Sequence, residues 1–168
     1  PFGVYFYRKE FMNKLESLCK KLNILILVDE TLTVCRTGKL FAFEHFGEFQ
    51  PDFIVFGKGL AVCGIASCHT WCDEFNPKKW NQTTLLAEPI SMLKSIQIMK
   101  RIDEDKLFEN SINSGKYLLE KLHELDSTYN KQGNLKSRGI ASLLWTDLDM
   151  LPFHHASKRI LPPLTISI

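Results

Sequence analysis

An acidic residue and a lysine each follow a short apolar run in this chain. Asp29 closes the run Ile24–Val28, and Lys58 follows the run Phe53–Phe56 with a glycine on either side. A carboxylate can hold a proton on a ring nitrogen, and a neutral lysine amine attacks a carbonyl carbon. Pyridoxal phosphate requires these two groups from its protein: a lysine for a Schiff base and an acid for the pyridine nitrogen.

Each of these residues taken alone has a more common use. An aspartate at the end of a strand is often a loop carboxylate or a helix cap, and a lysine in a turn is usually solvated. Gly57 and Gly59 favour the chemical interpretation of Lys58, because glycine lets the backbone approach a ligand closely. A lysine desolvated there has a lowered pKa and supplies the neutral amine.

Both apolar runs are typical of strands that are covered on both faces in a parallel sheet. A third, less regular strand is predicted over Gly64–Trp71. Open α/β sheets bind their ligands at the carboxyl ends of the strands. We therefore expect Asp29 and Lys58 to lie together at one edge of a sheet.

The remaining elements follow from apolar spacing and from capping residues. The pattern predicts helices over 9–22, 89–101 and 103–125, the last with Asp103 as its N-cap, and a strand over 140–148. The first two helices have apolar stripes expected to face the core: Phe11, Leu15, Leu18 and Leu22, and then Ile90, Leu93, Ile96 and Met99. Helices that alternate with buried strands indicate an α/β architecture.

Composition excludes some classes of function. The 168 residues include 21 basic and 19 acidic ones, so the charge balance supports neither nucleic-acid binding nor a membrane-surface role. No apolar run approaches the roughly 20 residues of a membrane-spanning helix. The five cysteines are odd in number and scattered, which favours a reducing, cytoplasmic compartment.

A metal site is the alternative interpretation of the cysteines. Cys63, Cys68, His69 and Cys72 cluster in the sequence, and the pair His154-His155 could complete a ligand set. The spacing fits a zinc site only loosely. Alternation along a strand would also turn neighbouring side chains to opposite faces. We therefore expect no metal and interpret these cysteines as small buried thiols.

A longer string of residues gives Asp29 and Lys58 their context. It comprises Val28-Asp29-Glu30, Thr33, the continuous stretch 36–47, Pro51-Asp52 and Gly57-Lys58-Gly59-Leu60. This string resembles the class III aminotransferases of the ornithine, acetylornithine and GABA type. The resemblance implies an α/β fold-type-I pyridoxal-phosphate-dependent transferase. Residues 1–125 then form part of the large domain, with part of its sheet, and residues 126–168 a shortened small domain.

The resemblance also implies roles for individual residues. Asp29 would bond the pyridine nitrogen of pyridoxal 5'-phosphate, and Lys58 would carry the Schiff base. Thr84, five residues before Pro89, would contact the cofactor phosphate of the neighbouring subunit in a homodimer. Arg159 would hold a substrate carboxylate. The implied reaction transfers an amino group from an amine donor to a 2-oxo acid.

The chain departs from the family pattern at several positions. Leu32 stands where the family has a glutamine, and Ala61-Val62-Cys63 replaces a glycine run. The phosphate-binding turn and the stacking aromatic residue of the upstream half are not recognisable. These departures leave open a catalytically inactive fragment or degenerate homologue that acts as a scaffold or partner. A small unrelated metal or binding module is the third alternative.

Overall fold

A computed structural model describes residues 5–68, 88–129, 137–146, 159–160 and 164. The chain divides into two compact units. The N-terminal unit comprises residues 7–34 and 41–101, and the C-terminal unit comprises residues 1–6, 35–40 and 102–168. The domain division after residue 125 stays a prediction.

The first predicted helix is present as α1, Lys9–Lys21. It ends where Asn23 adopts a left-handed backbone conformation with φ of 54°. Its apolar stripe is not buried as expected, because Phe11 and Leu18 are 50% and 54% exposed. The helix instead buries Met12 and Glu16 on a neighbouring face. The prediction of the element was confirmed, and the prediction of its inward face was wrong.

A three-stranded sheet forms the centre of the N-terminal unit. Its strands are β1 Leu27–Asp29, β2 Phe53–Phe56 and β3 Gly64–Ser67. β2 lies in the middle, parallel to β1 and antiparallel to β3. The predicted coverage of both faces of β1 is absent from the described residues, since Leu27 is 56% exposed. Within the apolar run before Asp29, only Leu27 and Val28 belong to the strand that pairs with β2.

Phenylalanines from the stretch after Arg36 pack beside this sheet. A 3-10 helix over Ala42–Phe46 positions two of them. Phe49 is almost fully buried, and the ring centroids of Phe43 and Phe46 lie 6.5 and 6.1 Å from its own in edge-on arrangements. Such geometry is favourable for aromatic pairs. The core of this unit is therefore built largely from the loop that connects β1 with β2.

Two helices follow, α2 Pro89–Glu104 and α3 Leu107–Tyr129. Asp103 was predicted as the N-cap of the second of these, but it lies inside α2 and its carbonyl accepts a hydrogen bond from Lys106 N–H. The break comes at Lys106, whose φ is 51°. The predicted inward stripe of α2 is also wrong, because its four residues are exposed: Ile90, Leu93, Ile96 and Met99.

The C-terminal unit contains an antiparallel sheet. Its strands are β4 Ser137–Ile140, β5 Leu143–Thr146 and β6 Arg159–Ile160, in that order. The single strand predicted over 140–148 is wrong, because a two-residue turn at Ala141-Ser142 divides it. Ala141 has a φ of 48°, which reverses the chain. Ser142 fixes the turn by donating its N–H to Arg36 O at 3.0 Å.

The α/β class predicted from the sequence is confirmed. The alternation of helices with short strands is present in the residues that the structure covers, although three strand pairings are antiparallel and one is parallel. Within the same residues, no helix is both long enough and apolar enough to cross a membrane.

Gly115 offers a test of how α3 packs on the β4–β5 turn. A Cβ placed at this residue would lie 2.1 Å from the carbonyl oxygen of Ala141. Backbone cannot give way as a side chain can, so we expect Gly115→Ala to lower the free energy of unfolding by about 1–3 kcal/mol. Urea unfolding followed by circular dichroism measures this. Asn113→Ala, an exposed change on the same helix, is the control, and equal stabilities would contradict the packing.

Candidate functional site

Asp29 and Lys58 lie at the same edge of the N-terminal sheet. Because β1 and β2 are parallel, their carboxyl ends meet there. Asp29 is the last residue of β1 and pairs with Val55 of β2, and Lys58 is the second residue after β2 ends at Phe56. The predicted proximity of the acid and the lysine is therefore present in the structure. What each residue does in a reaction stays a proposal.

The carboxylate of Asp29 is exposed and held by the residue two positions later. Its Oδ1 accepts a hydrogen bond from Thr31 N–H at 2.9 Å. The backbone N–H and the side chain of Thr31, together with the positive charge of Lys58, keep the pKa of Asp29 below its usual value. Bonds to the charged form favour ionisation. Asp29 is consequently an anion over a wide range of pH.

Lys58 begins a short 3-10 turn, Lys58–Leu60. Its φ of 38° is in a region that residues other than glycine rarely adopt. Such local strain clusters at functional sites. The turn is tight: a Cβ on Gly59 would lie 3.0 Å from Val34 O, and one on Gly57 would lie 3.0 Å from Cys63 Sγ. The expected desolvation of Lys58 is not found, because its side chain is exposed.

Glu30 is a buried carboxylate for which the sequence alone predicts no role. It is 1% exposed and accepts hydrogen bonds from Phe43 N–H at 2.9 Å and from the hydroxyl of Thr33. Its own N–H donates to Val55 O at 2.7 Å. Glu30 thus ties the connecting loop to the sheet immediately beside Asp29. The position of an acidic residue between an apolar run and a turn is the sequence feature that could have indicated this role for Glu30.

The other two predicted site residues are placed less fully. Thr84 falls within 69–87, outside the described residues. Arg159 belongs to the C-terminal unit, where it pairs with Trp145 across β5 and β6. On the other side of β5, Arg138 of β4 is also paired with Trp145. The sequence alone predicts no role for Arg138.

The cysteines do not form a metal site in the part of the chain that the structure describes. There, no group of three or more His, Cys, Asp or Glu residues is arranged to hold a metal ion. Cys63 and Cys68 are exposed rather than buried as expected, while His69, Cys72 and the pair His154-His155 lie outside the described residues. Burial raises the pKa of Cys35 to about 11, so its thiol is protonated and unreactive at neutral pH.

A cavity of about 270 Å³ lies where α1 leads into β1, and it does not include Asp29 or Lys58. Glu16, Lys20 and Asp52 are among its lining residues. These charged groups already have partners within the protein. Lys20 Nζ forms a salt bridge with Glu16 at 2.6 Å, and the carboxylate of Asp52 accepts a hydrogen bond from Ile26 N–H at 2.6 Å. The edge of the sheet that carries Asp29 and Lys58 is therefore the better candidate site.

Comparison with known proteins gives one consistent family. The model of the family "Aminotransferase class-III" matches residues 2–167. The acetylornithine aminotransferase of Bacillus subtilis is 30% identical over an alignment of 178 positions, gaps included, which covers 94% of this chain and 45% of the relative. The ornithine aminotransferase of Oceanobacillus iheyensis is 31% identical over 144 residues, covering 82% of this chain and 35% of the relative. The chain therefore spans less than half the length of these curated relatives.

Solved structures show the same likeness. The lysine aminotransferase of M. tuberculosis in the internal aldimine form has a TM-score of 0.76 at 25% identity, covering 98% of this chain and 43% of the other. The ornithine delta-aminotransferase of Plasmodium falciparum has a TM-score of 0.80 at 25% identity, covering 98% and 47%. The fold of this chain thus matches part of a larger α/β architecture.

The role of Glu30 can be tested by unfolding. Glu30→Ala removes the acceptor for Phe43 N–H and the Thr33 hydroxyl, and we expect a loss of about 1–3 kcal/mol in the free energy of unfolding. Glu30→Gln keeps one acceptor oxygen and should lose less. Urea unfolding measures both, with the exposed change Glu48→Ala as control. A loss no larger than that of the control would contradict the bridging role.

The ionisation of Asp29 can be followed by NMR of its carboxyl carbon. We expect its pKa below the usual 3.8, and an upward shift in Thr31→Val, because the hydroxyl is lost while the backbone N–H remains. Thr33→Val is the control, since Thr33 bonds Glu30 instead. Because the pKa of Asp29 is lower in the folded state than in the unfolded state, its ionisation stabilises the folded state at any pH above the unfolded-state pKa. That stabilisation is lost as the pH falls through the folded-state pKa. An Asp29 pKa at or above 3.8 would contradict the geometry.

Proposed function

The chain belongs to the class-III aminotransferases, and on that premise we propose that it supplies the cofactor-binding edge of a pyridoxal-phosphate-dependent transaminase. The reaction moves an amino group from an amine donor to a 2-oxo acid. One observation supports this most directly: Asp29 and Lys58 are brought together by the parallel pairing of β1 with β2. The fold is that of part of an α/β fold-type-I transferase.

The residues at this edge suit the cofactor. When bound, pyridoxal phosphate supplies an aldehyde that condenses with amines and a ring that takes up electrons from the substrate carbon. The lowered pKa of Asp29 keeps an anion available to hold a proton on the ring nitrogen. The turn that presents Lys58 at the strand end is tight on both sides, because a Cβ on Gly59 would meet Val34 O and one on Gly57 would meet Cys63 Sγ, each at 3.0 Å.

Lys58 would act twice in this proposal. Its amine would hold the cofactor before substrate binds, and Nζ, when free, would take the proton from the substrate carbon that carries the amino group and hold it for return. A lysine amine is suited to such acid–base work when it can lose its proton. Because Lys58 is exposed in this chain, cofactor and surrounding polypeptide would have to exclude water from its amine.

Further roles rest on the family resemblance. Arg159 would grip a substrate carboxylate through two parallel hydrogen bonds, and Thr84 would contact the phosphate of a cofactor in the partner subunit of a homodimer. The amine donor and the 2-oxo acid are the proposed small-molecule partners, and the cytoplasm is the proposed location.

A second candidate function is a non-catalytic partner or scaffold. It is favoured by apolar residues left exposed on α1, β1 and α2, among them Leu18, Leu27 and Leu93. Contiguous apolar surface on a folded protein usually marks an interface. Leu32 in the family's glutamine position points the same way, because an apolar side chain cannot hydrogen-bond the cofactor.

A visible absorption spectrum with pyridoxal phosphate distinguishes the two functions. We expect the unaltered chain to shift the absorption band of the free cofactor. Borohydride treatment should then fix the cofactor on Lys58, as identified by peptide mass mapping. Lys58→Ala should give the spectrum of free cofactor, because it lacks the amine. Lys94→Ala, which changes an exposed lysine on α2, should behave as the unaltered chain does.

Either other result would overturn the catalytic proposal. If all three proteins give the free-cofactor spectrum while circular dichroism shows them folded, the scaffold function is favoured. If Lys58→Ala and the unaltered chain bind the cofactor equally, Lys58 is not the attachment point.

A further inference from the structure

Glu30 forms hydrogen bonds through every polar group that it carries. Its N–H donates to Val55 O at 2.7 Å, and its carbonyl oxygen accepts from Thr33 N–H at 3.2 Å and from Val34 N–H at 2.9 Å. Its two carboxylate oxygens accept from Phe43 N–H at 2.9 Å and from the hydroxyl of Thr33. This one buried residue therefore joins β2, the turn that follows β1 and the later part of the connecting loop.

The turn that Glu30 holds also contacts the turn that carries Lys58. Val34 is fully buried, and its carbonyl oxygen lies so near Gly59 that a Cβ placed there would approach it to 3.0 Å. Gly59 follows Lys58 directly within the 3-10 turn. Main chain thus packs on main chain between the two turns, and the position of Val34 limits where the turn of Lys58 can lie.

Asp29 is fixed on the other side of Glu30. Its main chain is paired with Val55 of β2, and its Oδ1 accepts a hydrogen bond from Thr31 N–H at 2.9 Å. Because Glu30 N–H also donates to Val55 O, the chain stays attached to β2 for one residue beyond Asp29. Both members of the candidate pair are therefore tied to Glu30, Asp29 as its neighbour in the chain and Lys58 through Val34.

We propose that Glu30 is a positioning residue, whose buried carboxylate sets the distance between the carboxylate of Asp29 and the amine of Lys58. This inference rests on the proposed function, which assigns the two groups to the ring nitrogen and the aldehyde of one rigid cofactor. These lie on opposite sides of the ring, so the protein groups must be held a fixed distance apart. A carboxylate suits the task, because its two oxygens can accept from Phe43 N–H and from the Thr33 hydroxyl at once.

The electrostatic coupling between Asp29 and Lys58 reports their separation without cofactor. After the hydrogen bonds from Thr31, the positive charge of Lys58 also lowers the pKa of Asp29, and this attraction weakens as the charges move apart. Lys58→Met should therefore raise the pKa of Asp29, as 13C NMR of the carboxyl carbon measures at low ionic strength. In the Glu30→Ala background we expect a rise less than half as large, because the two turns can separate.

Comparison of these rises distinguishes position from charge. Loss of the Glu30 charge acts on Asp29 whether or not Lys58 is present, so its direct effect cancels from the difference. Glu30→Gln keeps the side-chain length and the acceptor for Phe43 N–H, and it should retain most of the rise. Glu48→Ala, an exposed change, should retain all of it.

A second variant disturbs the same contact while leaving Glu30 in place. Gly59→Ala puts a Cβ against Val34 O, which should push the two turns apart and reduce the rise as Glu30→Ala does. Circular dichroism verifies that each variant is folded, and Gly59→Ala carries the test if Glu30→Ala does not fold.

Three results would overturn the proposal. An Asp29 pKa that does not respond to Lys58→Met would show that the two groups are not held within electrostatic reach. Equal rises in Glu30→Ala and in the unaltered chain would show that Glu30 stabilises the fold without setting the distance. Equal losses in Glu30→Gln and Glu30→Ala would show that its hydrogen bonds are not the cause. None of these measurements uses pyridoxal phosphate, so a negative result beside borohydride attachment at Lys58 would overturn this inference alone.

Discussion

Main-chain pairing between β1 and β2 is the interaction on which the candidate site depends. The two strands are separated in sequence by a long connecting loop, yet their parallel register places Asp29 opposite Val55 and so brings it close to Lys58. A shift of one residue would turn Asp29 to the opposite face of the sheet. The chemistry proposed for the pair therefore rests on backbone hydrogen bonds rather than on any attraction between the two side chains.

The connecting loop supports this register from one side. Glu30 follows Asp29 directly and turns its carboxylate inward to Phe43 N–H and the hydroxyl of Thr33. Two adjacent acids thus have opposite environments, one buried and bonded within the protein, the other exposed and ionised. Such a division is physically reasonable, because burial of a carboxylate is tolerated only when its oxygens are satisfied.

Apolar side chains lie exposed on two helices of the described part of the chain. Helices α1 and α2 have amphipathic patterns, but residues such as Phe11 and Leu93 face solvent. The chain spans under half the length of its curated relatives. The predicted stripes on these two helices are indeed apolar. Whether an apolar stripe is buried, however, depends on the polypeptide that packs against it. Periodicity of one segment contains no information about its partner.

The sequence by itself determined the family, the α/β class and the positions of the main helices and strands. These depend on local spacing, on glycines and on the residue string around Arg36, all of which act over short distances along the chain. Tertiary structure decided the rest. It turned Glu30 inward, divided the predicted strand at Ala141, and set Arg138 beside Trp145. Those arrangements join residues distant in sequence or reverse the chain within two residues, so only three-dimensional packing determines them.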